Sequence, residues 1–115
     1  MKIETDESNG VVSFIFEGRL DAVSAENAEP AIMGAVADKG RYLYDLSSLA
    51  YISSAGLRVL LATTKAIKRR EGRFVMAAPN ENIRHILEVS GFASLFPLVN
   101  TVEEGRRLLI EDVPS

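Results

Sequence analysis

Two adjacent serines, Ser53 and Ser54, are the residues best placed for chemistry, because they stand where apolar Leu49, Tyr51 and Ile52 give way to a helical pattern starting at Ala55. A hydroxyl just before a helix can cap it by accepting a first-turn backbone N–H, which contributes about 1 kcal/mol. It can also stay accessible beside the free donors and positive dipole end of the helix, an environment that tolerates a phosphoryl group. The residue types leave both roles open for each serine. Nucleophilic catalysis would need a positioned base and an oxyanion hole as well. His85 is the only histidine, and no spacing brings it to a serine. The chain has no cysteine, so thiolate or histidine-rich zinc sites cannot be assembled. The expectation is a protein that is not an enzyme and holds no metal or cofactor.

Other charged groups have simpler explanations. Glu103 and Glu104 fall in the first turn of a helix, where negative charge suits the positive end of the dipole. Lys65, Lys68, Arg69 and Arg70 fall in the last turns of another helix, where cations offset its negative end; a partner-binding role is the alternative. Neither G-x-x-x-x-G-K-[ST] nor G-x-G-x-x-G spacing occurs, so no nucleotide site is expected. A net charge of −3 and a pI near 5.2 supply no broad positive field, so no nucleic-acid binding is expected either.

The elements that must position the serines follow from periodicity. Residues 2–5 and 11–17 read as an antiparallel hairpin around Ser8, Asn9 and Gly10. In the second run both faces are apolar, so that strand is expected between layers. Ser24 is a candidate N-cap for a helix carrying Ala28, Ala31, Ile32, Ala35 and Val36 and stopping at Gly40, with Pro30 requiring a kink or a later start. A strand over 41–46 leads through a loop to a helix from Ala55 with Leu57, Leu60, Leu61, Thr64 and Ile67 on one stripe, ending near Gly72. A strand at 73–78 and a helix from Asn80 or Glu81 to Gly91, with Ile83, Ile86 and Leu87 inward, come next. A strand at 95–99 precedes a helix capped by Thr101, with Val102, Leu108 and Leu109 facing the core.

The alternation after the hairpin demands parallel strands with right-handed crossovers, an α/β fold in a single domain over residues 1–115. A composition of 47% hydrophobic and 25% charged residues is that of a globular chain rather than a disordered one. The polar start and the absence of a long apolar stretch point away from secretion and membrane insertion.

The serine segment and its surroundings resemble STAS domains, the sulfate-transporter and anti-sigma-factor-antagonist group, over nearly the whole chain. Gly18-Arg19-Leu20-Asp21 looks like the family's Gly-x-Leu-Asp, and Asp45-Leu46-Ser47 like its Asp-Leu-Ser. Ser53-Ser54-Ala55-Gly56-Leu57 is similar to its Asp-Ser-Ser/Thr-Gly-Leu, with Ser53 in place of the aspartate, and Ser90-Gly91-Phe92 to its Ser-Gly-Leu turn. The resemblance implies a single layer of mainly parallel strands with an N-terminal hairpin and four helices. It places the family's phosphorylated serine on Ser54, with Ser53 the second choice. It also implies a cytoplasmic switch in which the unphosphorylated protein binds an anti-sigma factor that is also a serine kinase of the histidine-kinase-like ATPase type, releasing sigma, and a serine phosphatase resets it. Resemblance and geometry together nominate Asp21, Ser24, Asp45, Ser53, Ala55, Gly56 and Arg58 for the partner surface. A constitutive adaptor without a kinase cycle, and a small hydrolase using Ser54, are the alternatives.

Overall fold

The structure, a computed structural model, describes residues 1–111. Strands β1 (Lys2–Ser8) and β2 (Val11–Leu20) form the expected antiparallel hairpin. Its two turn residues, Asn9 and Gly10, both have positive φ, 54° and 78°, the backbone that matches a two-residue turn to the twist of its strands. Helix α1 (Ala22–Met33), β3 (Arg41–Ile52), α2 (Ser54–Arg69), β4 (Arg73–Ala77), α3 (Glu81–Val89), a 3-10 turn (Phe92–Ser94), β5 (Leu98–Val99) and α4 (Val102–Glu111) follow. The five strands lie in sequence order in one sheet, and β2 to β5 are parallel.

Alternation along the strands sends side chains to two cores. Phe14, Phe16, Tyr42, Tyr44, Phe74 and Met76 face α1, α2 and α3, which contribute Ala28, Ile32, Leu57, Leu60, Ile67, Ile83 and Leu87. Val11, Leu43, Val75 and Ala77 face the other way and are covered by α4 through Leu109. As expected, β2 is interior, with partners on both edges and apolar groups on both faces.

Four expectations about elements need correction. The N-cap of α1 is Asp21, not Ser24, so the helix begins earlier than the pattern suggested; Ser24 is the reciprocal member of a capping box. Pro30 lies inside this helix, which ends only three residues later at Met33, well before Gly40. At the last strand, only Leu98 and Val99 pair with β4, because Phe96 turns into the core, edge-on to Phe74 and Phe92. On α4, Val102, Gly105 and Leu109 share the sheet-facing stripe at three- and four-residue spacing, which leaves Leu108 48% exposed.

One polar link ties the sheet to α2. The Tyr44 hydroxyl lies 2.8 Å from Thr63 Oγ1, and both groups are buried. The single Thr63 hydroxyl proton is donated to the Val59 carbonyl at 2.8 Å, so Tyr44 must be the donor to Thr63. Burial pushes the Tyr44 phenol well above its ordinary pKa. It therefore stays protonated and able to donate. Thr63→Val keeps the shape but strands the Tyr44 proton, and should cost about 1–3 kcal/mol in urea unfolding. Tyr44→Phe leaves Thr63 bonded to its own helix and should cost less, about 0.5–1.5 kcal/mol. A larger loss for Tyr44→Phe would reverse the donor assignment.

Candidate functional site

The serines are delivered by β3, which runs six residues further than its apolar pattern suggested, to Ile52. Against β2 the register moves from Ile15↔Asp45 to Glu17↔Ser48, and from Gly18↔Leu49 to Arg19↔Tyr51, so β3 gains an extra residue at each of two bulges. These bulges bring Leu46, Leu49 and Ile52 to the same buried side at a spacing of three. A three-residue period does not look like a strand, which is why the segment reads as a loop in sequence.

β4 ends opposite Asp45, so the later part of β3 overhangs it. Its carbonyls are met from α3 instead: Asn80 Nδ2 donates to Leu49 O at 3.1 Å and Asn82 Nδ2 to Ala50 O at 3.5 Å. Asn80 also caps α3 by accepting from Ile83 N–H at 2.8 Å. On the β2 side, the Arg19 guanidinium lies 4.3 Å from the Tyr51 ring centre, a cation–π contact between paired residues. Asn80, Asn82, Arg19 and Tyr51 were not candidates from sequence. Only the helix-start signal at Asn80 could have marked one of them.

The ends of β2 and β3 then close on each other. Ser53 N–H donates to Leu20 O at 2.9 Å, which places the start of α2 beside Asp21, the cap of α1. A Cβ on Gly56 would sit 2.5 Å from Leu20 O and 2.8 Å from Ile52 Cγ1. Gly56 is buried there, and glycine is required by this close approach and not by its φ.

Ser53 is the N-cap of α2: its Oγ accepts from Gly56 N–H at 3.2 Å, and it is half-buried. Ser54 is the first helical residue, exposed, and its hydroxyl has no hydrogen-bond partner among the described residues. The amides of Ser54 and Ala55 belong to the first turn and have no acceptor within the helix. Across the edge, Asp21 Oδ1 accepts from Val23 N–H at 3.2 Å and Ser24 N–H at 3.1 Å. Asp21 N–H donates to Ser24 Oγ at 2.9 Å, and that hydroxyl donates to Arg19 O at 2.9 Å. The Ser24 amide, more than any other group, holds the Asp21 carboxyl below its ordinary pKa; the Ser24 hydroxyl, the Val23 amide and Arg19 add to this, and desolvation opposes it.

The structure therefore gathers Asp21, Ser24, Ser53, Ser54 and Ala55 at one edge, with exposed Arg58 one turn along α2. Asp45 lies instead where β3 first bulges, accepting from Ser47 N–H at 3.0 Å and Ser47 Oγ at 2.6 Å, the ordinary work of a carboxylate beside a turn. His85 is exposed on α3 and makes no hydrogen bond among the described residues. Among these residues no group of acidic, histidine or cysteine side chains could hold a metal ion, and no helix is long and apolar enough to cross a membrane.

A sequence profile of the STAS domain matches residues 2–105. The chain belongs to the STAS domain family. It is 38% identical over 105 residues, 90% of either chain, to BtrV of Bordetella bronchiseptica, which is named a candidate anti-sigma factor antagonist. It is 30% identical over 99 residues, 85% of this chain and 80% of the other, to the anti-sigma-F factor antagonist RsfB of Mycobacterium tuberculosis. The fold superposes with TM-score 0.81 at 18% identity on the unphosphorylated form of the anti-sigma factor antagonist SpoIIAA, covering 99% of this chain and 100% of that one. For the phosphorylated form of Bacillus SpoIIAA the TM-score is 0.67 at 20% identity, covering 90% and 95%.

Two predictions test this STAS edge. Gly56→Ala gains helix propensity of about 1 kcal/mol but drives a methyl into the Leu20 carbonyl. Net destabilisation of about 1–3 kcal/mol is expected in urea unfolding, and a more stable variant would show that the approach is not limiting. Asp21 has a folded-state pKa below its unfolded value, so its contribution is present above the unfolded value, 3.8, and is lost as pH falls through the lower folded one. Asp21→Asn keeps a capping oxygen without the charge. Its thermal midpoint should lie below wild type at neutral pH and converge with it as pH falls from 3.8 through the lower folded-state value; a gap that widens on acidification would contradict the assignment.

Proposed function

We propose that this protein is a cytoplasmic anti-sigma factor antagonist, acting as one unit over residues 1–115, whose binding to an anti-sigma factor is switched by phosphorylation of Ser54. The observation that carries the choice of residue is the division of labour between the serines. Ser53 spends its hydroxyl on Gly56 N–H and is half-buried, whereas Ser54 presents an exposed hydroxyl without a partner among the described residues. The names of the relatives BtrV and RsfB support the partner class. The partner would be an anti-sigma factor that is itself a serine kinase of the histidine-kinase-like ATPase type, and a serine phosphatase would reset the cycle. The protein is the substrate of that chemistry and not its catalyst.

The switch follows from where the charge lands. A phosphoserine adds about −1.5 to −2 charges and three acceptor oxygens. At the first position of α2 these face first-turn amides and the positive end of the dipole, so the fold can accommodate them. A partner packed on an uncharged serine would have to bury an unpaired dianion, which costs more than the contacts return. Asp21, Ser24, Ala55 and Arg58 would form the rim of that surface, while Gly56 acts from beneath by setting the height of the helix.

Incubation with the cognate kinase and ATP should add one phosphoryl group, located at Ser54 by mass spectrometry. Ser54→Ala should block the addition and keep binding, and Ser54→Asp should bind roughly tenfold or more weakly, about 1.4 kcal/mol. Modification of Ser54→Ala at Ser53 would move the acceptor. A partner that binds equally well before and after kinase treatment would instead establish the constitutive adaptor.

A further inference from the structure

The cations of α2 are not all accounted for by the helix dipole. Lys68 and Arg69 lie in the last turn, where the dipole favours them, but Arg58 and Lys65 lie further back. Arg70 is engaged, donating to Asp38 at 2.8 Å and to Val36 O at 2.7 Å. Arg58, Lys65, Lys68 and Arg69 are exposed and have no carboxylate within ion-pair distance among the described residues. Four unpaired cations on one helix face are notable in a chain of net charge −3.

They also border two depressions that share Leu61 and Lys65. One, of about 460 Å³, lies between α1 and α2, with Glu29 and Met33 opposite Arg58, Ala62 and Arg69. The other, of about 280 Å³, is floored by Thr64, Phe74 and Phe96 and rimmed by Lys68 and Leu95. Lys68 Nζ sits 5.6 Å from the Phe74 ring centre. Rims that carry four cations and a single carboxylate, Glu29, around apolar hollows match a ligand that is acidic between apolar side chains.

We propose that the outer face of α2 from Leu61 to Arg69 docks an acidic, apolar-tipped segment of a partner protein, separately from the Ser54 edge. The nine residues from Leu61 to Arg69 span roughly 12 Å, a little over two turns of a bound helix. A membrane surface is met by several protruding apolar groups, whereas among the described residues only one exposed large hydrophobic side chain, Leu95, borders this face and none lies on α2. Concave hollows take individual side chains instead. Lys68 is fourteen residues from Ser54, roughly 21 Å along the helix, well beyond a screening length of about 8 Å at physiological salt. Occupancy here is therefore insensitive to charge at Ser54, and the proposal does not depend on the switch.

The test uses the full chain and a synthetic three-turn peptide carrying leucine and glutamate at helical spacing, followed by amide NMR shifts. Shifts should centre on Leu61, Lys65, Lys68 and Leu95, and affinity should fall with added salt. Lys65→Glu combined with Lys68→Glu should weaken binding at least tenfold while leaving the thermal midpoint unchanged. Because Lys68 covers Phe74, Lys65→Glu with Arg69→Glu provides a second variant with the same expectation, and Ser54→Asp should bind within twofold of wild type, about 0.4 kcal/mol. The proposal is overturned if the peptide does not bind, if a glutamine version binds equally, if shifts centre on the Ser54 edge, or if both double variants bind normally. Binding of phosphatidylglycerol vesicles in place of the peptide would overturn it in favour of a membrane surface.

Discussion

The junction between the ends of β2 and β3 sets everything at the candidate site. Parallel pairing carries both strands to the same edge, and the Ser53 amide closes the junction on Leu20 O at 2.9 Å. Leu20 is followed at once by the cap of α1, and Ser53 is itself the cap of α2, so one hydrogen bond brings two helix starts together. Gly56 makes this possible by leaving no Cβ against the Leu20 carbonyl. The positions of Ser54 and Asp21 are consequences of that backbone contact rather than of contacts between their own side chains.

A surface built this way suits regulation by charge. The backbone beneath it is tied at several independent points: the capping box at Asp21 and Ser24, the cap at Ser53, and the asparagine bonds from α3 to the overhanging end of β3. None of these uses the Ser54 hydroxyl. A group added there would change what the surface presents without undoing what holds it, a separation that a buried or capping serine could not offer.

Helix α2 thus has two unlike ends. Its first turn presents free amides and an exposed hydroxyl at the edge of the sheet, while its middle and last turns present unpaired cations around two apolar hollows. The helix is rigidly attached between them, through Leu57, Leu60 and Ile67 in the core and through Thr63 to Tyr44. Screening isolates the two ends electrostatically, so one helix can serve two surfaces without either setting the state of the other.

The order of elements, the parallel sheet, the hairpin and the inward stripes of α2 and α3 were legible in the sequence, because side-chain period reports local geometry directly. The hairpin turn was legible for a related reason: Asn-Gly marks a backbone that few other pairs adopt. Three features were not. Leu46, Leu49 and Ile52 recur every three residues because of two bulges, and a bulge is a property of pairing with β2 that leaves no period of its own. The cap of α1 is a reciprocal pair, Asp21 with Ser24, of which the pattern marks only the Ser24 hydroxyl as a helix cap. Leu108 lies outside the sheet-facing stripe of α4, and which stripe is buried was settled by where the sheet lies. At the site, the two serines were visible as residues near a helix start, but their roles differ by a single position along the backbone. Only the fold, by directing the Gly56 amide to Ser53 and leaving Ser54 in solvent, decided which hydroxyl is spent and which is free.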